Sequence, residues 1–249
     1  MKSIFISSTF KDMQSERDML QYLIYPRIRN DIRQFGEDIN ILDLRWGVDT
    51  LNLSEEESGK VVLKVCIDAI DRCVPYIIVF LGERYGWIPE EHIIAKTNDT
   101  RVDKHYTGGM SITNLEIEYG VFSELCSIEK CIFCFRNPTV NESIEEKYRK
   151  IYDSESEIHR QKLECLKNRI RQEKNAAIIE YDACWDGEKH KIAGLENLQE
   201  QLYETLKEKI TAEFHNRIPQ TPYDQMKQEM ELTKQQYLST YSQRYNEEN

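Results

Sequence analysis

Lys2-Ser3-Ile4-Phe5-Ile6-Ser7-Ser8-Thr9-Phe10-Lys11-Asp12-Met13 opens as an apolar run and stops abruptly in hydroxyl, aromatic and charged residues. That is the pattern of a buried parallel strand whose carboxyl end opens into a crevice. A second apolar run, Tyr76 to Leu81, ends in the same way, in Gly82-Glu83-Arg84-Tyr85-Gly86-Trp87. In open α/β sheets, ligands collect outside the carboxyl ends of the strands, where the winding direction reverses. With both runs as strands, Ser7, Ser8, Thr9 and Phe10 face Tyr85 and Trp87 across one cleft.

Working outward, Met19, Leu20, Leu23, Ile24, Ile28 and Ile32 recur at helical spacing. They predict a helix over about 14–35, bent or divided by Pro26 and ended by Gly36. Ile39 to Leu44 reads as the second strand and runs into Asp43-Leu44-Arg45-Trp46-Gly47-Val48. Ser54-Glu55-Glu56-Glu57 starts a helix that continues to about Cys73, its acids at the positive end of the dipole. Tyr76 to Leu81, apolar throughout, is a central third strand. The polar stretch from Ile88 to Met110, with Gly108-Gly109 near its end, is long for a connection in a compact domain and is expected to be a mobile lid. Ser111-Ile112-Thr113-Asn114-Leu115-Glu116 begins a helix running to about Ser127. Cys131 to Phe135 is the fourth strand, 143–174 is a charged helical region interrupted near Asp153-Ser154, Ala176 to Tyr181 is the fifth strand, and Leu195 to Phe214 is a last amphipathic helix.

Strands that alternate with helices imply a parallel sheet with helices on both faces. The expected fold is an α/β, flavodoxin-like sheet of order 2-1-3-4-5, with the switch point between the first and third strands. Residues 1–218 form this domain, and 219–249 a helical connector or tail. In the tail, Met226, Met230, Tyr237, Tyr241 and Tyr245 fall near one stripe, which either docks on another domain or packs back on this one.

The 249 residues carry a net charge of −11, which argues against a nonspecific nucleic-acid surface. No apolar stretch reaches the roughly 20 residues that span a bilayer, and the amino terminus reads as a strand, not a signal peptide. Seven cysteines at irregular spacing, mostly in apolar surroundings, point to a reducing compartment, so a cytoplasmic protein is expected. Cys131 and Cys134 have CxxC spacing, but on a strand they face opposite sides, and no second ligand pair accompanies them. No metal site is expected.

Glu116 is the leading candidate for chemistry. The spacing Thr113-x-x-Glu116 is that of a capping box, with Thr113 as N-cap and Glu116 at N3. The same position follows the third strand and so lies at the rim of the cleft. There the helix dipole keeps a carboxylate ionised, which suits stabilisation of a ribosyl oxocarbenium. Both roles stand on the residues alone. Glu118 points to another side of the helix as a surface charge. Ser7, Ser8 and Thr9 offer hydroxyls and amides to a phosphate or ribose, or cap a turn. Arg45 clamps a phosphate and Trp46 stacks on a base, or Arg45 pairs with Asp43 or Glu83. Tyr85 and Trp87 are an aromatic wall or plain packing. Glu16, Arg17 and Asp18 read as an ion-paired helix surface, or line the site. No glycine-rich phosphate loop and no hydrolase elbow is present.

Phe5-Ile6-Ser7-Ser8-Thr9-Phe10-x-Asp12-Met13-x-x-Glu16-Arg17-Asp18, Asp43-Leu44-Arg45-Trp46-Gly47-Val48, Gly82-Glu83-Arg84-Tyr85-Gly86-Trp87 and Ser111-Ile112-Thr113-x-x-Glu116-Ile117 follow in order. Over about residues 1–215 the chain resembles the TIR-like domain-of-unknown-function family. That family is found at the N-terminus of STAND-type NTPases, including the telomerase-associated vault protein, nephrocystin relatives and bacterial antiphage NTPases. The resemblance implies a TIR-like fold in an immune or antiphage setting. It implies cleavage of the N-glycosidic bond of NAD by Glu116, with release of nicotinamide; NAD is then a substrate and no cofactor is required. Ser7, Ser8, Thr9 and Phe10 become the loop after the first strand, and Arg45, Trp46 and Gly47 the loop after the second. With Gly82, Tyr85, Trp87 and Ser111 they form the substrate site. The resemblance also implies self-association for activity and a downstream NTPase domain. Many catalytic TIR domains carry Ser, Cys or Trp four residues before the glutamate; this chain has Ile112 there. The alternative is a non-catalytic interaction module attached to such an NTPase.

Overall fold

A computed structural model of the chain describes residues 2–44, 55–73, 76–123, 125–214 and parts of 221–234. Strands β1 (Lys2–Ser8), β2 (Ile39–Leu42), β3 (Tyr76–Leu81), β4 (Cys131–Arg136) and β5 (Ala177–Tyr181) form one parallel sheet. Its order, β2-β1-β3-β4-β5, is the expected flavodoxin-like arrangement. β3 and β4 are buried along their whole length, as central strands under helices on both faces must be. Alternation sends Ile4 and Ile6 of β1 into one core and Phe5 into the other. β4 divides Cys131 and Cys134 between the two cores in the same way.

The first helical segment is split as Pro26 requires. Helix α1 (Gln14–Met19) passes into a π-helical turn (Leu20–Ile24) and then into α2 (Tyr25–Arg33). Proline offers no amide and crowds the carbonyl four residues back. The wider turn, in which the Tyr25 amide bonds to Leu20 five residues back, makes room for it. Helix α3 (Glu55–Cys73) buries Leu63, Cys66, Ile67, Ala69 and Ile70 against the sheet.

The expected lid is built differently. Its residues fold into α4 (Glu91–Ala95) and α5 (Thr100–His105), and Ile93, Ile94, Val102 and Met110 are buried in the core beside α3. Arg101 ties the segment down by ion pairs to Asp68, Asp71 and Asp99. Sparse apolar residues in a polar stretch, each aimed inward, make it a docked cover. Helix α6 (Ile112–Ile117) continues as a π-helical turn (Glu118–Phe122) and ends there, short of the expected Ser127. Beyond it the chain folds back, and the Cys126 amide bonds to the Gly120 carbonyl at 2.9 Å.

The charged helical region is divided, as expected, near Asp153. It comprises α7 (Val140–Ser143), α8 (Glu146–Tyr152) and α9 (Glu157–Gln172). A hairpin of β6 (Cys184–Asp186) and β7 (Lys191–Ala193) was not foreseen. Its strands are too short for a period, and the Asp186-Gly187 pair is its one turn signal. Helix α10 (Glu196–Thr211) buries Leu198, Leu202, Tyr203, Leu206 and Ile210. Of the tail stripe, Met226 and Met230 are exposed, and neighbouring Glu229 lies 3.4 Å from Arg33; Tyr237, Tyr241 and Tyr245 lie outside the described residues. No helix among the described residues is long and apolar enough to cross a membrane.

Candidate functional site

Glu116 sits where three elements meet at the carboxyl edge of the sheet. It is 6% exposed and accepts a 2.6 Å hydrogen bond from Ser7 Oγ at the tip of β1. The Cys66 thiol of α3 lies nearby and, like Ser7, favours its ionised form. Its position corrects the capping-box reading. The N-cap of α6 is Ser111, whose hydroxyl accepts the Asn114 amide at 3.2 Å. Thr113 therefore lies inside the first turn, and Glu116 is two residues too deep to reach the N-cap amide. Its electrostatics also differ from expectation. Burial raises the carboxyl above its ordinary value, against the opposing pull of Ser7, Cys66 and Arg17, so the dipole alone does not hold it ionised.

Below this triad lies Arg17, expected on a helix surface and instead 0% exposed. Its Nε donates to Ser8 Oγ at 2.7 Å, its Nη2 to the Ser8 carbonyl at 3.2 Å, and its Nη1 to Asp43 at 2.5 Å. One guanidinium thus ties α1 to the ends of both β1 and β2. The fork geometry suits this task and a lysine would not. Glu16, beside it on the same helix, is buried as well, and Asp18 is half-buried.

A cleft of about 800 Å³ opens over Glu116. Ser8, Thr9, Phe10 and Lys11 form one side, and Val62 and Cys66 of α3 a second. Arg84, Gly86, Trp87 and Ile88 form a third, with Ile112 and Thr113 at the start of α6 and Glu155 and His159 by α9. Phe10 and Trp87 are 40% and 47% exposed at its rim. Gly86 has φ of +97°, and a Cβ there would come within 3.0 Å of Thr9 Cγ2, so glycine keeps the two loops close. Glu155 holds this loop by accepting the Tyr85 and Gly86 amides at 3.2 and 3.3 Å, and it pairs with Arg84 at 2.8 Å.

The structure brings together Glu116, Ser7, Ser8, Thr9, Phe10 and Trp87 as the sequence suggested. It separates three others. Gly82 lies on the opposite face, where a Cβ would strike Met13 and Arg136. Ser111 is spent on the cap. Tyr85 is 3% exposed; its hydroxyl accepts from Asn114 at 2.8 Å, and it walls a neighbouring hollow of about 500 Å³. Arg45, Trp46 and Gly47 lie outside the described residues. Cys66, Asp43, Lys11, Glu155 and His159 were missed as site residues. The phase of α3 places Val62 and Cys66 one turn apart on one face, which was the available signal for the thiol. Glu118, read as a surface charge, pairs with Arg169.

A second buried network lies beneath the loop after β1. Arg136 donates to Glu16 at 2.7 Å and to the Asp12 carbonyl at 2.9 Å, and Tyr181 donates to Glu16 at 2.9 Å. Asp12 accepts from Thr9 at 2.5 Å, and burial pushes its carboxyl up to about 6 despite the nearby arginine. Asp12 Oδ2, Glu16 Oε2 and Arg136 Nη2 have no hydrogen-bond partner among the described residues. No group of three His, Cys, Asp or Glu side chains among the described residues is placed to hold a metal ion.

A doubly wound sheet, a buried carboxylate at its carboxyl edge and an aromatic-rimmed cleft define an α/β domain of the flavodoxin-like kind. The chain belongs to the family described as "Domain of unknown function (DUF4062)", whose model matches residues 3–207. It is 34% identical over 179 residues to a TPR repeat-containing protein of Dictyostelium discoideum, covering 67% of this chain and 10% of that protein. It is 27% identical over 188 residues to telomerase protein component 1 of Mus musculus, covering 74% and 7%. Over 85 residues it is 29% identical to NACHT and WD repeat domain-containing protein 2 of Mus musculus, covering 33% and 5%. The chain thus spans a tenth or less of these relatives, and its family occurs in proteins that carry NACHT domains. No solved structure matches it significantly.

Proposed function

We propose that this is a TIR-like domain that cleaves the bond between nicotinamide and ribose in NAD. The observation that carries the reading is Glu116, a buried carboxylate held by Ser7 at 2.6 Å and lining the cleft outside the sheet's carboxyl edge. In the reaction the C1′–N bond breaks and its electron pair leaves with the pyridinium nitrogen, giving neutral nicotinamide. The ribosyl carbon becomes an oxocarbenium, and ionised Glu116 stabilises it. Water, or another nucleophile, adds to that carbon and loses its proton to solvent. Ile112 leaves the position four residues before Glu116 apolar, and Ser7 and Cys66 are the polar contacts instead. The relatives' size and the NACHT domains in some of their names support a role attached to an NTPase. We place its action in immune or antiphage defence, with self-association of copies as the trigger.

The test is nicotinamide release from NAD at high protein concentration, for the chain and for Glu116→Gln. The expected result is turnover in the first and a loss of about 10²–10³-fold in the second, as for removal of one preorganised electrostatic group. Turnover retained in a folded Glu116→Gln protein would sink the mechanism.

One observation favours a second reading, a non-catalytic interaction module. Burial raises the Glu116 carboxyl, and a neutral Glu116 would serve only as a strut between α6, β1 and α3. That reading predicts no turnover in either protein.

A further inference from the structure

One cation that lines the cleft is left without an ion pair among the described residues, and it has the chemistry of a phosphate ligand. Five charged side chains reach it: Lys11, Arg84, Glu116, Glu155 and, when protonated, His159. Arg84 and Glu155 neutralise each other at 2.8 Å, and Glu155 is further occupied by the two amides of the Tyr85–Gly86 loop. Glu116 is held by Ser7, with Cys66 and Arg17 nearby. That leaves Lys11, which is exposed and has no ion pair among the described residues.

His159 is held as if for a ligand. Its Nδ1 is 2.7 Å from Ser156 Oγ, and its ring meets Tyr85 edge-on with centroids 5.9 Å apart. Ser156 also caps α9 by accepting the His159 amide. With the hydroxyl donating to Nδ1, the ring hydrogen is on Nε2. No described side chain bonds to Nε2, so it is the free polar atom of a fixed ring that lines the cleft. The same cleft exposes two aromatic faces, Phe10 and Trp87, of the kind on which a base stacks.

We propose that Lys11 and His159 form the phosphate-binding edge of this cleft, and that its ligand is a nucleoside bearing a diphosphate, not an uncharged nucleoside. Lys11 supplies the charge, and His159 Nε2 supplies a directed donor. Phe10 and Trp87 take the base. This rests on the nucleotide reading of the cleft but not on turnover.

The probes are ADP, adenosine and inorganic pyrophosphate, titrated calorimetrically into the full chain, into Lys11→Gln/His159→Gln and into Glu116→Gln. ADP is expected to bind at least about tenfold more tightly than adenosine or pyrophosphate, the scale of one or two charge-assisted hydrogen bonds. The double variant, both of whose sites are solvent-accessible, is expected to bring ADP down to the level of adenosine with an unchanged melting temperature. Glu116→Gln is expected to keep the preference for ADP. ADP binding no more tightly than adenosine or pyrophosphate, or equally tightly to the double variant, overturns the proposal. So does the absence of ADP binding at millimolar concentration. Loss of the NAD-cleavage reading is recognised separately, as a preference for ADP that persists without nicotinamide release.

Discussion

Asp12 and Glu116 are both carboxyls whose folded forms hold a proton more tightly than the unfolded chain does. For Asp12 the ordinary value is 3.8 and the folded value about 6. The sign follows from linkage: the folded state binds the extra proton, so its stabilising contribution is complete below about pH 3.8 and is lost as pH rises to about 6. The loss is about 3 kcal/mol at roughly 1.4 kcal/mol per pH unit. Asp12→Asn is expected to flatten the dependence of stability on pH across that window, measured by denaturant unfolding at pH 4 and pH 7; an unchanged slope would refute it. Arg17 works in the opposite sense, because removing it strands Asp43, whose side chain is 4% exposed. Arg17→Ala is expected to cost about 3–5 kcal/mol, the range for a broken buried pair. In the sequence, Glu116 was visible as a carboxylate after the third strand. Arg17 was not, because a Glu-Arg-Asp triplet on a helix looks the same whether it faces water or a strand end.

Elements were more legible than side chains. All five strands of the sheet and their order follow from apolar runs and punctuation, and Pro26 marks the split in the first helix. What misled was cap geometry. Thr113-x-x-Glu116 satisfies the capping-box spacing, yet Ser111 two residues earlier takes the cap because the chain leaves its extended conformation there. The two assignments separate experimentally. Ser111→Ala is expected to destabilise by about 0.5–2 kcal/mol, as for other lost N-caps, while Thr113→Ala removes no cap. A loss confined to Thr113→Ala, read from thermal unfolding, would restore Thr113 as the cap. Gly86→Ala is a second element-scale test. A methyl at φ +97° and 3.0 Å from Thr9 strains the loop that walls the cleft. It is expected to weaken ADP binding and to cost on the order of 1–2 kcal/mol of stability.

At the scale of the molecule, the stretch expected to be loose is fastened by a cation among three aspartates. Arg101→Ala is expected to speed hydrogen exchange across 91–105 while leaving the sheet protected. Uniform exchange throughout would show that the pairs fasten nothing. This arrangement escaped the sequence reading because its partners, Asp68 and Asp71, lie on another helix. A last consequence concerns β1. Ser7 serves Glu116 on one side of the sheet and Ser8 serves Arg17 on the other, and only the pleat decides which is which. The strand therefore acts like a reading frame: deleting one residue upstream of Ser7 would invert both faces at once, disconnecting the carboxylate and the guanidinium without altering either. Length polymorphism should be tolerated in the exposed turns of this domain and excluded from these seven residues.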